Sequence, residues 1–205
     1  MGDEVEHNCG VLGVALKRPG NVLTSAFYGM SYLEHRGHSG RGITSYNPER
    51  GRAILKTAKN EVDVKGLFRV YNKRKAEEFL EEYGGSRAIG HIRYGTSGPE
   101  GEEFIQPFEL FDPRKDKWFA FCFNGNICNV SELRKELESK EYIEHKNDTE
   151  IFAANIAMLI ASLDGRDGFA EIFEHVARKF DGSYSFAMID AYGRMVFGRD
   201  SFGNR

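Results

Sequence analysis

Cys9-Gly10-Val11-Leu12-Gly13-Val14-Ala15-Leu16 opens with a cysteine and a glycine and runs straight into apolar residues. Val11 to Leu16 is too short for a typical helix and reads as a buried strand. Pro19-Gly20-Asn21 then turns the chain. Val22 to His35 has helical spacing, with Val22, Ala26, Met30 and Leu33 on one face, and Gly37 stops it. Ile43 to Tyr46 and Ala53 to Leu55 read as paired strands around Asn47-Pro48. Lys75 to Tyr83 is a charged surface helix ending at Gly84-Gly85. Ala88 to Tyr94 is a strand entering a loop, and Trp118 to Phe123 is another, ending at Asn124-Gly125. Helices follow at Ser131 to Leu137, from Asp148-Thr149-Glu150 onward, and at Gly168 to Lys179. The middle one carries Phe152, Ile156, Leu159, Ile160 and Leu163 on one stripe. Ser183 to Asp190 and Met195 to Phe197 form a hairpin around Ala191-Tyr192-Gly193. Strands at both ends and helices grouped in pairs give an α+β class, with sheet and helix in layers.

The bulk numbers exclude several function classes. The chain has 205 residues, enough for one domain with a substantial core. Its net charge of -3 argues against a nucleic-acid partner, which would need a basic excess. The longest apolar run, Ile156 to Leu163, is too short to span a bilayer, so no membrane partner is expected. Met1 to Asn8 carries Asp3, Glu4 and Glu6 and lacks the basic start of a secretory signal. Three cysteines give no disulfide framework, and a reducing cytoplasm is the expected location. Cys122 and Cys128 are too far apart for paired zinc-ligand spacing, and no phosphate-cradling glycine loop is present. His35, His38 and His91 read as structural.

Four segments carry chemistry together: Cys9-Gly10-Val11-Leu12-Gly13, Glu34-His35-Arg36-Gly37-His38-Ser39, Gly90-His91-Ile92-Arg93-Tyr94-Gly95-Thr96-Ser97-Gly98, and Phe123-Asn124-Gly125-Asn126. Asn147-Asp148-Thr149-Glu150 and Gly198-Arg199-Asp200-Ser201-Phe202-Gly203-Asn204-Arg205 extend the set. In this order and spacing the chain resembles the class II glutamine amidotransferases, whose catalytic domain belongs to the N-terminal-nucleophile hydrolases. Arg93-Tyr94 makes it most similar to the amidophosphoribosyltransferases, because the sugar-forming relatives usually have Trp at the second position. The resemblance implies a four-layer αββα sandwich, two antiparallel sheets flanked by helices. It also implies a leader at 1–8 and an amidotransferase domain at 9–205, lacking a C-terminal acceptor domain. The chain stops soon after a strand, and a longer natural chain is expected.

The residue types suit the reaction. Deamidating glutamine needs a nucleophile, a base, an oxyanion site and a clamp for the amino-acid end. By resemblance Cys9 is the nucleophile. With the leader removed by self-cleavage it carries a free α-amine, which titrates at about 7.7–8.0 and so accepts a thiol proton near neutral pH. Taken alone, Cys9 could be a small buried residue at a strand start. Asn124 and Gly125 would hold the oxyanion, although Asn-Gly alone reads best as a hairpin turn. Arg93 would fork onto the glutamine α-carboxylate, with Tyr94 and Thr96 in the same substrate loop. Asp148 would bind the α-ammonium, a role compatible with a plain helix N-cap. Arg36 and Gly37 would cover the nucleophile, with Gly37 free to move.

The partners so implied are glutamine and an acceptor domain or synthase, in a full-length homo-oligomer. The implied acceptor is phosphoribosyl pyrophosphate, giving phosphoribosylamine for purine synthesis. No cofactor is expected in this domain. Mg²⁺ would belong to the acceptor half, and an iron–sulfur cluster, present in some relatives, would lie beyond this chain. Two departures stand out: Arg41 replaces a small residue, and Phe123 replaces a frequent histidine. While Met1 to Asn8 remain attached, the Cys9 nitrogen is an amide and the chain would be inactive. Two rivals stay open. One is a stand-alone subunit serving glutamate synthase or sugar amination. The other is an unprocessed pseudo-glutaminase with a regulatory or scaffolding role.

Overall fold

A computed structural model describes residues 9–18, 20–95, 101–138, 148–162 and 169–203, and for Asp148, Phe169, Ala170 and Phe173 only the backbone. The leader, Pro19, Thr96, Leu163 and Gly168 of the sequence reading lie outside the described residues. The chain runs β1 (Gly10–Ala15), α1 (Val22–Leu33), β2 (Gly40–Tyr46), β3 (Leu55–Asn60), α2 (Val64–Leu67), α3 (Lys73–Tyr83) and β4 (Arg87–Arg93). It continues through β5 (Phe108–Leu110), β6 (Phe119–Ile127), α4 (Val130–Glu138), α5 (Asp148–Ser162), α6 (Phe169–Lys179), β7 (Gly182–Asp190) and β8 (Met195–Arg199). Among these, two sheets of four antiparallel strands form, in the orders β1-β4-β2-β3 and β5-β6-β7-β8. The α+β class and the αββα layering expected from the sequence are what the structure has.

Side-chain alternation builds the layers. Successive residues of a strand point to opposite faces. On β6, Phe119, Phe121 and Phe123 enter the core beneath α4, α5 and α6. Ala120 and Cys122 enter the space between the sheets, with Ala187 and Ile189 of β7 and Ile89 of β4. Small residues there let the sheets approach closely, and the large rings hold the helices. Phe152 of α5, 1% exposed, sits with its ring 4.8 Å from Phe123 and 4.7 Å from Phe180. Burying such a ring contributes roughly 1.5–3 kcal/mol. The Phe123 departure therefore packs α5 onto β6.

Caps start the helices on the other side. The Asn21 carboxamide accepts the Leu23 N–H at 3.0 Å and donates to the Leu80 carbonyl at 2.9 Å, joining α1 to α3. Val22, Leu23, Ala26 and Met30 of α1 are buried against β1 and β4.

Several boundaries differ from the sequence reading. The first helix ends at Leu33, and Glu34–Arg36 form a 3-10 turn. Asn47-Pro48 opens a 3-10 segment that runs to Ala53, so β2 pairs with Leu55–Asn60 rather than with Ala53–Leu55. Asn124-Gly125 is no hairpin turn: β6 continues through it to Ile127, with Asn124 opposite Ser185 and Gly125 opposite Tyr184. The turn chemistry of Asn-Gly is overridden by pairing with β7 along its length. Leu159 is only half-buried. β5 and α2 were not foreseen, since three or four residues hold no periodic signal.

Candidate functional site

Three elements converge on Cys9, which lies half-buried just before β1. β1 pairs with β4 from Gly10 opposite Ile92 onward, and this brings the start of β1 to the end of β4. There the Tyr94 N–H donates to the Cys9 Sγ at 3.3 Å. The sheet below delivers Asn124, whose Nδ2 donates to the Cys9 carbonyl at 2.9 Å across 115 positions of sequence. The turn after α1 delivers Arg36, whose Nε donates to the same carbonyl at 3.3 Å. Sequence-distant candidates thus meet within hydrogen-bond reach of one residue.

Gly37 is held against the end of β4. A Cβ at this position would lie 2.3 Å from the Arg93 carbonyl oxygen and 2.7 Å from the Tyr94 nitrogen. Its φ of -172° is extended backbone open to any residue. The need for glycine is close approach, not the freedom of motion expected from the sequence. The Ser39 N–H donates to the Arg93 carbonyl at 3.0 Å and continues the contact. Arg93 ends β4 opposite Gly40, with its guanidinium 6.0 Å from the Phe104 ring centre. The Tyr94 ring meets His38 edge-on at 5.2 Å. Asp148 begins α5, but its side chain, like Thr96, lies outside the described residues.

Gly125 sits at a non-hydrogen-bonded position of the β6–β7 ladder. Tyr184, opposite it on β7, donates its N–H to the Asp200 Oδ2 at 3.2 Å and accepts the Asp200 N–H at 2.8 Å. Both Tyr184 backbone groups thus face away from β6, and the pair is of the non-hydrogen-bonded kind. By alternation the Gly125 N–H points to the same side as that of Phe123. The Phe123 N–H donates to the Gln106 Oε1 at 2.6 Å, and β5 pairs only with Phe119–Phe121, short of Gly125. A Cβ on Gly125 would lie 2.6 Å from the Tyr184 Cβ.

Gln106 and Asp200, 6% and 4% exposed, are buried ties to the Phe123 and Tyr184 backbone that sequence reasoning missed or left unassigned. Neither sits in a pattern that marks burial. His91 is fully buried between the sheets, and neither ring nitrogen has a hydrogen-bond partner of good geometry. Burial pushes its pKa down to about 3, against a weaker opposing pull from the Phe123 backbone. Burial also pushes the Cys122 thiol up, well above its ordinary value. Among the described residues no three His, Cys, Asp or Glu side chains gather as metal ligands would. Nor is any described helix long and apolar enough to cross a membrane. A cavity of ≈ 560 Å³ opens between β3, β5 and α5, lined by Lys59, Phe108 and Glu150 among others; among the described residues, no candidate side chain lines it.

Comparison with known proteins decides the family. A family described as a glutamine amidotransferase domain matches residues 99–205. The chain belongs to that family. This amidotransferase domain is 33% identical over 186 residues to an amidophosphoribosyltransferase of Staphylococcus epidermidis, covering 90% of this chain and 34% of that protein. It is 30% identical over 196 residues to the Methanocaldococcus jannaschii amidophosphoribosyltransferase, covering 95% and 38%. The chain therefore spans little more than a third of these relatives' length. Its fold matches a B. subtilis glutamine phosphoribosylpyrophosphate amidotransferase complexed with ADP and GMP, with a TM-score of 0.71 at 26% identity, over 97% of this chain and 38% of that one. It also matches a structure described as the allosteric regulatory enzyme of purine biosynthesis, with a TM-score of 0.75 at 26% identity, over 95% and 38%. The amidotransferase domain is thus class II, homologous to the N-terminal region of the amidophosphoribosyltransferases, and glutamine is its implied substrate.

Proposed function

We propose that this domain hydrolyses glutamine at Cys9 and supplies ammonia to a phosphoribosyl pyrophosphate site on an acceptor domain or partner. The observation that carries the reading is the meeting of Asn124, Arg36 and Tyr94 on the one residue Cys9. In the active species residues 1–8 have been removed and Cys9 has a free α-amine. That amine takes the thiol proton, through a water, and the thiolate adds to the side-chain carbonyl of glutamine. The oxyanion forms against the Asn124 amide and the Gly125 N–H, whose outward direction suits it. The C–N bond then breaks, the amine's proton leaves with ammonia, and a thioester remains on Cys9. Water hydrolyses the thioester to glutamate and restores the thiol. Arg93 clamps the α-carboxylate and Asp148 the α-ammonium, with Tyr94 and Thr96 framing the loop. Transfer of ammonia to the phosphoribosyl group, with its Mg²⁺, belongs to the acceptor half.

Intact mass of the protein from its complete natural gene, with glutamate release and Cys9 labelling by a glutamine-analogue affinity reagent, tests this. A mass beginning at Cys9, labelling that glutamine suppresses, and glutamate release are expected. A chain that keeps Met1–Asn8 under all conditions, unlabelled and inert, would replace the enzyme with the regulatory reading. Phosphoribosylamine formation in the full-length protein tests the acceptor.

A further inference from the structure

We infer that Arg41 is a positioning residue for the glutamine site, an inference that rests on the glutaminase reading above. Arg41 lies on β2 between Ile92 and Asn60 of the flanking strands and is 4% exposed. Its Nη2 donates to the Gly37 carbonyl at 3.0 Å. Its Nε lies 3.6 Å from the Glu34 Oε1. The same Glu34 oxygen accepts the Val64 N–H at 2.9 Å, at the start of α2. One guanidinium thus holds both ends of the turn between α1 and β2, and Glu34 ties that turn to α2.

Both partners of Arg41 belong to the turn. If the turn lifts, the guanidinium loses the Glu34 carboxylate and the Gly37 carbonyl together. A buried cation without partners is strongly disfavoured, so the lowered turn is favoured by whatever that exposure would cost. The lowered turn is the one that matters at the site. Arg36, between Glu34 and Gly37, donates to the Cys9 carbonyl, and Gly37 lies against the Arg93 backbone. The contacts of Arg41 described above are to the turn, at Glu34 and Gly37, and not to Cys9. Arg41 acts by keeping the turn populated in the binding-competent position.

That mode of action has a kinetic signature. When only a fraction of molecules has the competent turn, the apparent binding constant rises by the inverse of that fraction, while saturating substrate restores the rate. Loss of one charge-assisted hydrogen bond and of the half-buried ion pair beside it is enough to shift such an equilibrium about tenfold. A merely structural arginine would instead lower the amount of folded enzyme, reducing kcat with KM unchanged.

The test is steady-state glutamine hydrolysis by the full-length protein carrying Arg41→Ala or Arg41→Lys, with thermal melting measured alongside. Arg41→Ala is expected to raise KM for glutamine about tenfold and to leave kcat within about threefold of wild type. Arg41→Lys keeps the charge but loses the planar fork, and is expected to raise KM by about threefold at steady kcat. An unchanged KM in Arg41→Ala, with or without a fall in kcat, overturns the inference. Should Arg41→Ala fail to fold, Arg41→Lys decides in the same way, an unchanged KM again overturning it. A wild type that hydrolyses no glutamine overturns the glutaminase reading and this inference with it, an outcome distinct from an active wild type with indifferent Arg41 variants.

Discussion

Adding one methyl group at Gly37 should disable the site without unfolding the domain. The new Cβ would lie 2.3 Å from the Arg93 carbonyl oxygen and 2.7 Å from the Tyr94 nitrogen, both backbone atoms. Ordinary contact begins near 3.4 Å, so the turn and the end of β4 must part by about 1 Å. Neither side has a flexible side chain to yield. The Ser39–Arg93 hydrogen bond at 3.0 Å would stretch beyond useful length, and Arg36 would be drawn from the Cys9 carbonyl. A misplacement of about 1 Å in a catalytic constellation can cost about 100-fold in rate. Gly37→Ala is therefore expected to lower kcat/KM for glutamine by about 100-fold and to slow affinity labelling of Cys9 in parallel. The contact lies at the end of the sheet, outside the three hydrophobic clusters, so the melting temperature should fall by only a few degrees. Glutamine kinetics, Cys9 labelling and a melting curve on the same preparation check this. Kinetics within about threefold of wild type would refute the argument that close approach of Gly37 to β4 builds the site.

Asn124→Ala removes the amide beside Cys9 and is expected to lower kcat by about 10²–10³-fold with little change in KM, read from glutamate release. His91 has a folded-state pKa depressed to about 3 from 6.5, so it contributes stability that is fully present above 6.5 and is lost as pH falls towards 3. His91→Leu should remove a slope of up to about 1.4 kcal/mol per pH unit between those values, measured by urea unfolding at several pH values; equal slopes would count against it. The Glu109 carboxylate joins the two sheets, accepting from the Thr57 hydroxyl at 2.7 Å and the Trp118 indole N–H at 3.0 Å. Glu109→Ala should cost about 1–3 kcal/mol of unfolding free energy, since the buried indole N–H loses its acceptor. A loss under about 0.5 kcal/mol would show that water substitutes for it.

The periodic part of this fold was legible in the residues themselves. The Trp118–Phe123 strand, the apolar face of α1 at Val22, Ala26 and Met30, and the apolar stripe of α5 act through neighbours in sequence, and local spacing suffices to read them. The same holds for the candidates as residue types: Cys9 before a strand, Arg93 at the end of one, Asn124-Gly125 after a run of aromatic residues. What local spacing could not decide was anything set by a partner far along the chain. Asn-Gly is a turn signal until β7 pairs through it, and only then does Gly125 become strand with its N–H turned outward. Gly37 looked like a helix stop with room to move, whereas the Arg93 backbone against it leaves no room for a side chain. Gln106, Asp200 and Arg41 have ordinary surface-type identities, and tertiary burial alone makes each a tie between backbone segments. The physical reason is common to all of them. A hydrogen bond or a steric contact between distant residues depends on strand register and layer packing, which summed local preferences do not encode.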